Sequence, residues 1–297
     1  MSLMSEWRVQ FDANVTFSNG GALQAQEFRL DIPGEDIDDE ALGELFVRHL
    51  GLLMAGEVTI SNKTLIQEPH KGSRGVETAA PERRLIDLSH VIEHGMVTHT
   101  GLPGPEIGDW LSFADSHRNY APGTEFQIGK ISMVGNTGTY VDSPAHRFHG
   151  SADLSRLDLA SLVDVEGITV RVDQRVIDRN LLLAYEVAGK AVLLNTGWDR
   201  HWGTDAYVSG QHPFITKDAA EWLAEQRAAV VGIDSMNIDD TSDGARPAHT
   251  ALLQAGIPVV EHMTRLDLLP PHGFRFHAAP LAIKGMGTFP VRAYALT

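Results

Sequence analysis

Asn136-Thr137-Gly138-Thr139-Tyr140-Val141-Asp142-Ser143-Pro144-Ala145-His146 is the stretch from which the rest of this chain can be read. It gathers a backbone-permissive glycine (Gly138), two hydroxyls (Thr139 and Tyr140), a carboxylate (Asp142), a rigid proline (Pro144) and an imidazole (His146). Phe126 to Val134 leads into it and reads as a strand by composition and alternation. A second polar concentration follows downstream: Asp234, Asn237, Asp239, His249, Glu261 and His262.

Around these clusters, strand and helix signals are mixed. Leu85 to Val91 reads as a first strand. Glu93 to Trp110 reads as a polar loop rich in glycine and proline, a length uncommon without a function. Leu157 to Leu162, Ile168 to Val172 and Ala191 to Asn195 read as further strands or buried segments. Thr216 to Gln226 is amphipathic and predicts a helix. Ala229 to Ile233 is a compact apolar run that suits a buried strand. Ala248 to Gln254 predicts a short helix, Pro258 to Val260 leads to Glu261, and Phe289 to Leu296 is strand-like. Such a mixture points to an α/β fold.

Toward the start, residues 7 to 16 alternate with period two, and Ser18-Asn19-Gly20-Gly21 is a strong turn before a second strand over Leu23 to Ile32. Asp38-Asp39-Glu40 opens a helix with acids near the positive end of its dipole. Leu42, Leu45, Phe46, His49 and Leu53 fall on one face of it. Val58 to Ile66 reads as another strand. The prediction is a small α+β module, β-β-α-β, over residues 5–67. A linker follows over 68–82, and the main domain spans 83–297.

Composition narrows the function. Lys and Arg number 24 against 39 acidic residues, a net charge of −15. That balance argues against nucleic acid or an anionic membrane as partner and leaves a small-molecule substrate open. There is no cysteine, which excludes disulfides, thiolate–zinc sites and a cysteine nucleophile. Any metal has to be held by His, Asp and Glu. No G-x-S-x-G elbow, phosphate loop or H-E-x-x-H is present. No apolar run reaches the length of a membrane span. Met1-Ser2-Leu3-Met4 lacks the regions of a signal peptide, so the expected location is cytoplasmic.

The central stretch resembles the motif H-x-G-T-H-x-D-x-P-x-H of the cyclase family, which includes bacterial kynurenine formamidases and isatin hydrolases. Gly138, Thr139, Asp142, Pro144 and His146 keep the pattern. Asn136 and Tyr140 stand where the family usually has histidines. The resemblance covers the main domain and not the small module. It implies a swivelling β/β/α fold and a homo-oligomer.

It also implies a chemistry. In the family, histidines, aspartate and glutamate hold metal ions, a metal-bound water attacks an amide carbonyl, and the last histidine of the motif moves protons. Carried over residue by residue, Asp142, His249 and Glu261 are the expected ligands of one divalent ion, Zn or Mn. A neutral amide and a phenol are weak transition-metal ligands, so Asn136 and Tyr140 leave one metal at most. His146 is the expected base and then acid. Tyr140 is expected to act in catalysis, as a hydrogen-bond donor to a developing oxyanion. Asn136, Thr139 and Trp110 are expected to line the substrate.

The leading function is therefore a hydrolase of a C–N bond in a small amide or cyclic amide. Two other readings stand beside it. One is a metal-free cyclase, lyase or isomerase using Tyr140 and His146. The other is a small-molecule binding protein without chemistry.

Overall fold

The computed structural model describes residues 7–18, 20–32, 34–50, 52, 55–67 and 83–297. The predicted linker over 68–82, the first residues of the predicted module, Asn19 of the predicted turn and Leu53 of the predicted helix face lie outside the described residues. The chain divides into two compact units, Met1–Glu82 and Arg83–Thr297.

In the first unit, β1 (Trp7–Phe17), β2 (Ala22–Asp31), α1 (Asp39–His49) and β3 (Ala55–Gln67) follow in order. The strands form an antiparallel sheet with β1 in the centre. Alternation along β1 turns Val9, Phe11, Ala13 and Val15 to one buried face. Leu42 and Phe46 of α1 join them in one core. The rings of Phe11, Phe28 and Phe46 pack edge to face with centroids 5.0–6.0 Å apart. Asp38 caps α1 by accepting from the Ala41 N–H at 2.8 Å.

The second unit is a mixed α/β domain built on a nine-stranded sheet. Its strands are β4 (Leu85–Asp87), β7 (Tyr140–Asp142), β8 (Val165–Arg171), β10 (Ala191–Asn195), β12 (Val230–Ile233), β13 (Val259–Glu261), β14 (His272–His277), β15 (Thr288–Pro290) and β16 (Tyr294–Leu296). Their order across the sheet is β15-β7-β13-β12-β10-β8-β14-β16-β4. The central four, β13, β12, β10 and β8, run parallel. β7 and β15 extend one side antiparallel. Apolar residues on both faces of the parallel strands fill two cores, which is why these strands read as continuous apolar runs. One core takes in α3 (Arg179–Leu182), α4 (Lys217–Glu225) and α5 (Pro247–Gln254) through Leu182, Leu223 and Leu252. β9 (Val176–Ile177) and β11 (Phe214–Ile215) form a short separate pair. No helix among the described residues is long and apolar enough to cross a membrane.

Several sequence readings need correction. The polar loop expected over Glu93 to Trp110 ends in a strand, β5 (Glu106–Leu111). The strand expected over Phe126 to Val134 is β6 (Ile128–Ser132), which pairs antiparallel with β5 and stands outside the main sheet. The short helix α2 (Phe113–Ser116) lies between these two strands. The Leu157 to Leu162 segment is a turn with a single 3-10 turn at Leu159–Ser161. Asp158 accepts there from the Ala160 N–H, a local bond that competes with strand pairing. Phe289 to Leu296 is broken into β15 and β16. β14 was not anticipated, because its residues alternate polar and aromatic without a continuous apolar run.

Candidate active site

The central motif forms where β7 is clamped between β13 and β15. Register sets the faces. Tyr140 pairs with Glu261 of β13, and Asp142 pairs with Thr288 of β15. Residues two apart on a strand share a face, so Tyr140, Asp142, Glu261 and Thr288 project together. Val141, Val260 and Phe289 point to the other side, into the second core. Glu261 is the last residue of the parallel strand β13, the end at which open α/β sheets bind ligands.

Two glycines make the approach close enough. Gly138 has φ +64°, a left-handed conformation that other residues adopt at a cost. A Cβ on Gly287 would sit 2.5 Å from the His146 backbone nitrogen, so only glycine lets β15 press against the His146 turn.

His249 arrives from α5. Asp239 fixes it: the carboxylate accepts from the Ala248 and His249 N–H groups at 2.6 and 3.2 Å and from His249 Nδ1 at 2.6 Å. With Nδ1 so held, Nε2 faces Asp142 Oδ2 at 3.3 Å and Glu261 Oε1 at 3.6 Å. Asp142, His146 and His249 bring one donor atom each within 4.8 Å of one another. Asp142, Asp239, His249 and Glu261 are all buried.

Thr288 was missed by the sequence reading, since a threonine in a Gly-Thr-Phe-Pro segment carries no chemical signal of its own. Its hydroxyl donates to Asp142 Oδ1. The same oxygen lies 2.7 Å from His146 Nδ1. A hydroxyl has one proton, so it accepts here from His146 Nδ1–H. That assigns the lone pair of His146 to Nε2, on a ring whose side chain is 33 % exposed.

Tyr140 is spent differently from the sequence expectation. Its one hydroxyl proton goes to Glu261 Oε2 at 2.7 Å. Its oxygen accepts from His99 Nε2 at 2.9 Å. His262 Nε2 stands 3.1 Å from that same His99 nitrogen and therefore presents its lone pair, leaving His262 Nδ1–H to donate to the Tyr207 hydroxyl at 2.9 Å. A phenol committed to Glu261 has no proton left for a substrate oxyanion. In this arrangement the Tyr140 hydroxyl, expected as an oxyanion donor, is hydrogen-bonded to Glu261.

The two groups of histidines titrate in opposite senses. Burial works against charge on His249, but Glu261, Asp142 and Asp239 outweigh it and hold the imidazolium up to about 10. Burial pushes His99 down to about 4, against a weaker pull from Asp142. Burial, helped by His99, pushes His262 well below its ordinary range. Burial and then the charges of Glu261 and Asp142 push the Tyr140 phenol well up, so it stays protonated and is no phenolate ligand. Burial and the Asp142 charge raise Glu261 against the pull of His249.

The donor set fits a divalent ion. Asp142, His146 and His249 bring donor atoms close enough to share an ion, while Glu261 approaches the same His249 Nε2 at 3.6 Å. The charge balance fits as well. Once His249 is neutral, the one Lys or Arg among the described residues paired with Asp142, Asp239 or Glu261 is Arg246, whose Nε lies 3.4 Å from Asp239. Two negative charges in excess at a buried site are what a divalent cation offsets. Asp239 behind His249 forms a carboxylate–histidine pair of the kind that orients an imidazole.

Among the residues expected to line the substrate, Asn136 belongs to an open depression of about 290 Å³ with His146, Gly287 and Thr288. Thr139 does not line it. Its hydroxyl donates to the His262 carbonyl at 2.6 Å and accepts from the His90 N–H at 3.0 Å, so it is a buried brace. Trp110 lies on β5 and is 76 % exposed. Loop aromatics carry no sequence sign of whether they face a site or solvent.

Residues 86–240 match the sequence model of the family described as "Putative cyclase". A kynurenine formamidase of Polaromonas naphthalenivorans (strain CJ2) is 25% identical over 188 residues, 63% of this chain and 82% of that protein. Cyclase-like protein 2 of Oryza sativa subsp. japonica is 26% identical over 230 residues, 71% of this chain and 78% of that protein. Among solved structures, isatin hydrolase A from Labrenzia aggregata superposes with a TM-score of 0.63 at 22% identity, over 72% of this chain and 94% of that one.

Proposed function

The chain belongs to the cyclase family, and from that premise we propose that it is a hydrolase of a C–N bond in a small amide or cyclic amide, acting through a metal-activated water. The observation that carries this reading is the pair of buried carboxylates, Asp142 and Glu261, converging on His249 Nε2 while Asp239 holds Nδ1. The names of the related formamidase and isatin hydrolase support the reaction class. We assign the metal to Asp142, His249 and Glu261, with Zn or Mn as the ion.

When bound, such an ion lowers the pKa of its water and polarises the carbonyl. The chain's own groups do the rest. His146 takes the water's proton on Nε2 and gives it to the leaving nitrogen, while Thr288 keeps Nδ1 protonated. Tyr140 and the Ile238 N–H, 2.6 Å from Glu261 Oε1, hold Glu261 in place. Asn136 borders the open side, where a small substrate enters. A cytoplasmic homo-oligomer completes the reading.

Metal analysis by plasma mass spectrometry on protein purified without chelator tests it, alongside turnover of aryl formamides and cyclic amides. About one equivalent of Zn or Mn is expected, lost in Asp142→Ala and His249→Ala together with turnover. His146→Gln separates the roles: it keeps the metal if His146 is the base and loses it if His146 is a ligand. A metal-free protein with no amide turnover after metal soaking sinks the proposal and leaves the metal-free or binding readings.

A further inference from the structure

We infer that Arg246 is a positioning residue that ties together the supports of His249 and Glu261. Its backbone gives the first sign. Arg246 stands at the start of α5 with φ +50° and ψ +57°, and its side chain makes no capping hydrogen bond there. Arginine holds this left-handed conformation at a cost that glycine would not bear. Such outliers persist where the surrounding contacts over-determine them, and they gather at functional sites.

Those contacts are on the page. The Thr250 hydroxyl donates to the Arg246 carbonyl at 2.8 Å and pins the backbone. The guanidinium Nη2 donates to Asn237 Oδ1 at 3.0 Å, and Nε stands 3.4 Å from Asp239 Oδ2. A flat guanidinium offers its donors as a fixed fork and so reaches two acceptors at once, where an ammonium is a single point charge.

Both acceptors lead into the site. Asp239 holds His249 Nδ1 at 2.6 Å. Asn237 Oδ1 accepts from the Asp239 N–H at 2.9 Å as well as from Arg246. Two donors on Oδ1 fix which end of the amide is oxygen. They thereby turn the donor end, Nδ2, toward Glu261 Oε2 at 3.5 Å. Asn237 and Asp239 are buried, whereas the Arg246 side chain is 36 % exposed, so the guanidinium closes this network from its solvent side. What Arg246 serves rests on the reading of His249 and Glu261 as ligands; how it holds them is a property of the chain and is tested without metal.

Proton NMR on the metal-free full chain is the first test. The His249 Nδ1–H, held against Asp239, should give a strongly downfield resonance that is absent from His249→Gln. Arg246→Gly and Arg246→Lys are expected to shift or broaden it with unchanged far-ultraviolet circular dichroism. Glycine takes the left-handed backbone freely, so the fold is kept when the fork is lost. Lysine keeps the charge and removes the fork alone. After metal loading, competitive chelator titration should show retention about 10-fold weaker in both variants, the low end of what losing an outer partner of a metal-binding imidazole costs. A parent without the resonance, folded variants whose resonance matches the parent's, or variants with the parent's retention overturn the inference. A merely structural Arg246 would move the denaturation midpoint and leave the resonance where it is. A parent that binds no metal sinks the hydrolase reading, while the resonance still decides the role of Arg246.

Discussion

Two buried polar clusters lie side by side in the second unit, joined at Tyr140. One surrounds His249 with Asp142, Asp239 and Glu261. The other links His99, His262 and Tyr207. Both bury imidazoles, yet one holds its ring charged to about 10 and the other drops His99 to about 4. Residue type does not decide this. The count of carboxylates within reach does, because desolvation penalises charge in both and only one cluster supplies anions to offset it. The charged cluster can exchange protons for a metal ion. The neutral one can only pass hydrogen bonds along and fix the phenol that holds Glu261.

The sharpest way to break this contrast is at the proton carrier. His146→Gln should lower kcat by about 10²–10⁴ while bound metal, measured on the same sample, stays near the parent's level. Equal losses of metal and turnover would move His146 among the ligands.

The next test uses pH. In metal-stripped protein, His249 has a folded pKa raised from 6.5 to about 10. Its stabilisation is present in full below pH 6.5 and is lost as pH rises through that window. Glu261, also raised, acts in the same direction. Asp142 and Asp239 are held below their ordinary range and lose their stabilisation only in acid, outside this window. Denaturant titrations should show apo stability falling by on the order of a few kcal/mol between pH 6.5 and 10. The metal-loaded protein should be flatter, since the ion stands in for the proton. Parallel curves for both forms would deny that His249 is a ligand.

The smallest effect is expected at the junction. Tyr140→Phe removes one hydrogen bond to buried Glu261, about 1–3 kcal/mol. Competitive chelator titration should read this as roughly 5- to 150-fold weaker metal retention. A change in turnover at saturating metal with unchanged retention would restore Tyr140 to direct catalysis.

Much of this was legible in the sequence. The eleven residues from Asn136 to His146, with His249 and Glu261, named the core of the charged cluster, because those side chains carry chemistry at recognisable spacing. The parallel strands were legible as apolar runs, with Ala191–Asn195 read to the residue. The neutral cluster was only partly legible: His262 stood in the second polar concentration, but nothing local linked it to His99 or Tyr207, which come from separate loops. Thr139 and Trp110 were equally open in the sequence, because a hydroxyl and an indole suit a pocket, a brace or a surface alike.

The sequence by itself determined which groups are available: carboxylates and imidazoles without thiols, a glycine where the backbone must turn left-handed, and apolar runs long enough for a buried sheet. The tertiary structure decided what each group is. Pairing β7 with β13 and β15 turned Tyr140, Asp142, Glu261 and Thr288 to one face. Burial then made the number of neighbouring charges, a quantity no linear sequence contains, the factor that sets which histidine is charged and which is neutral.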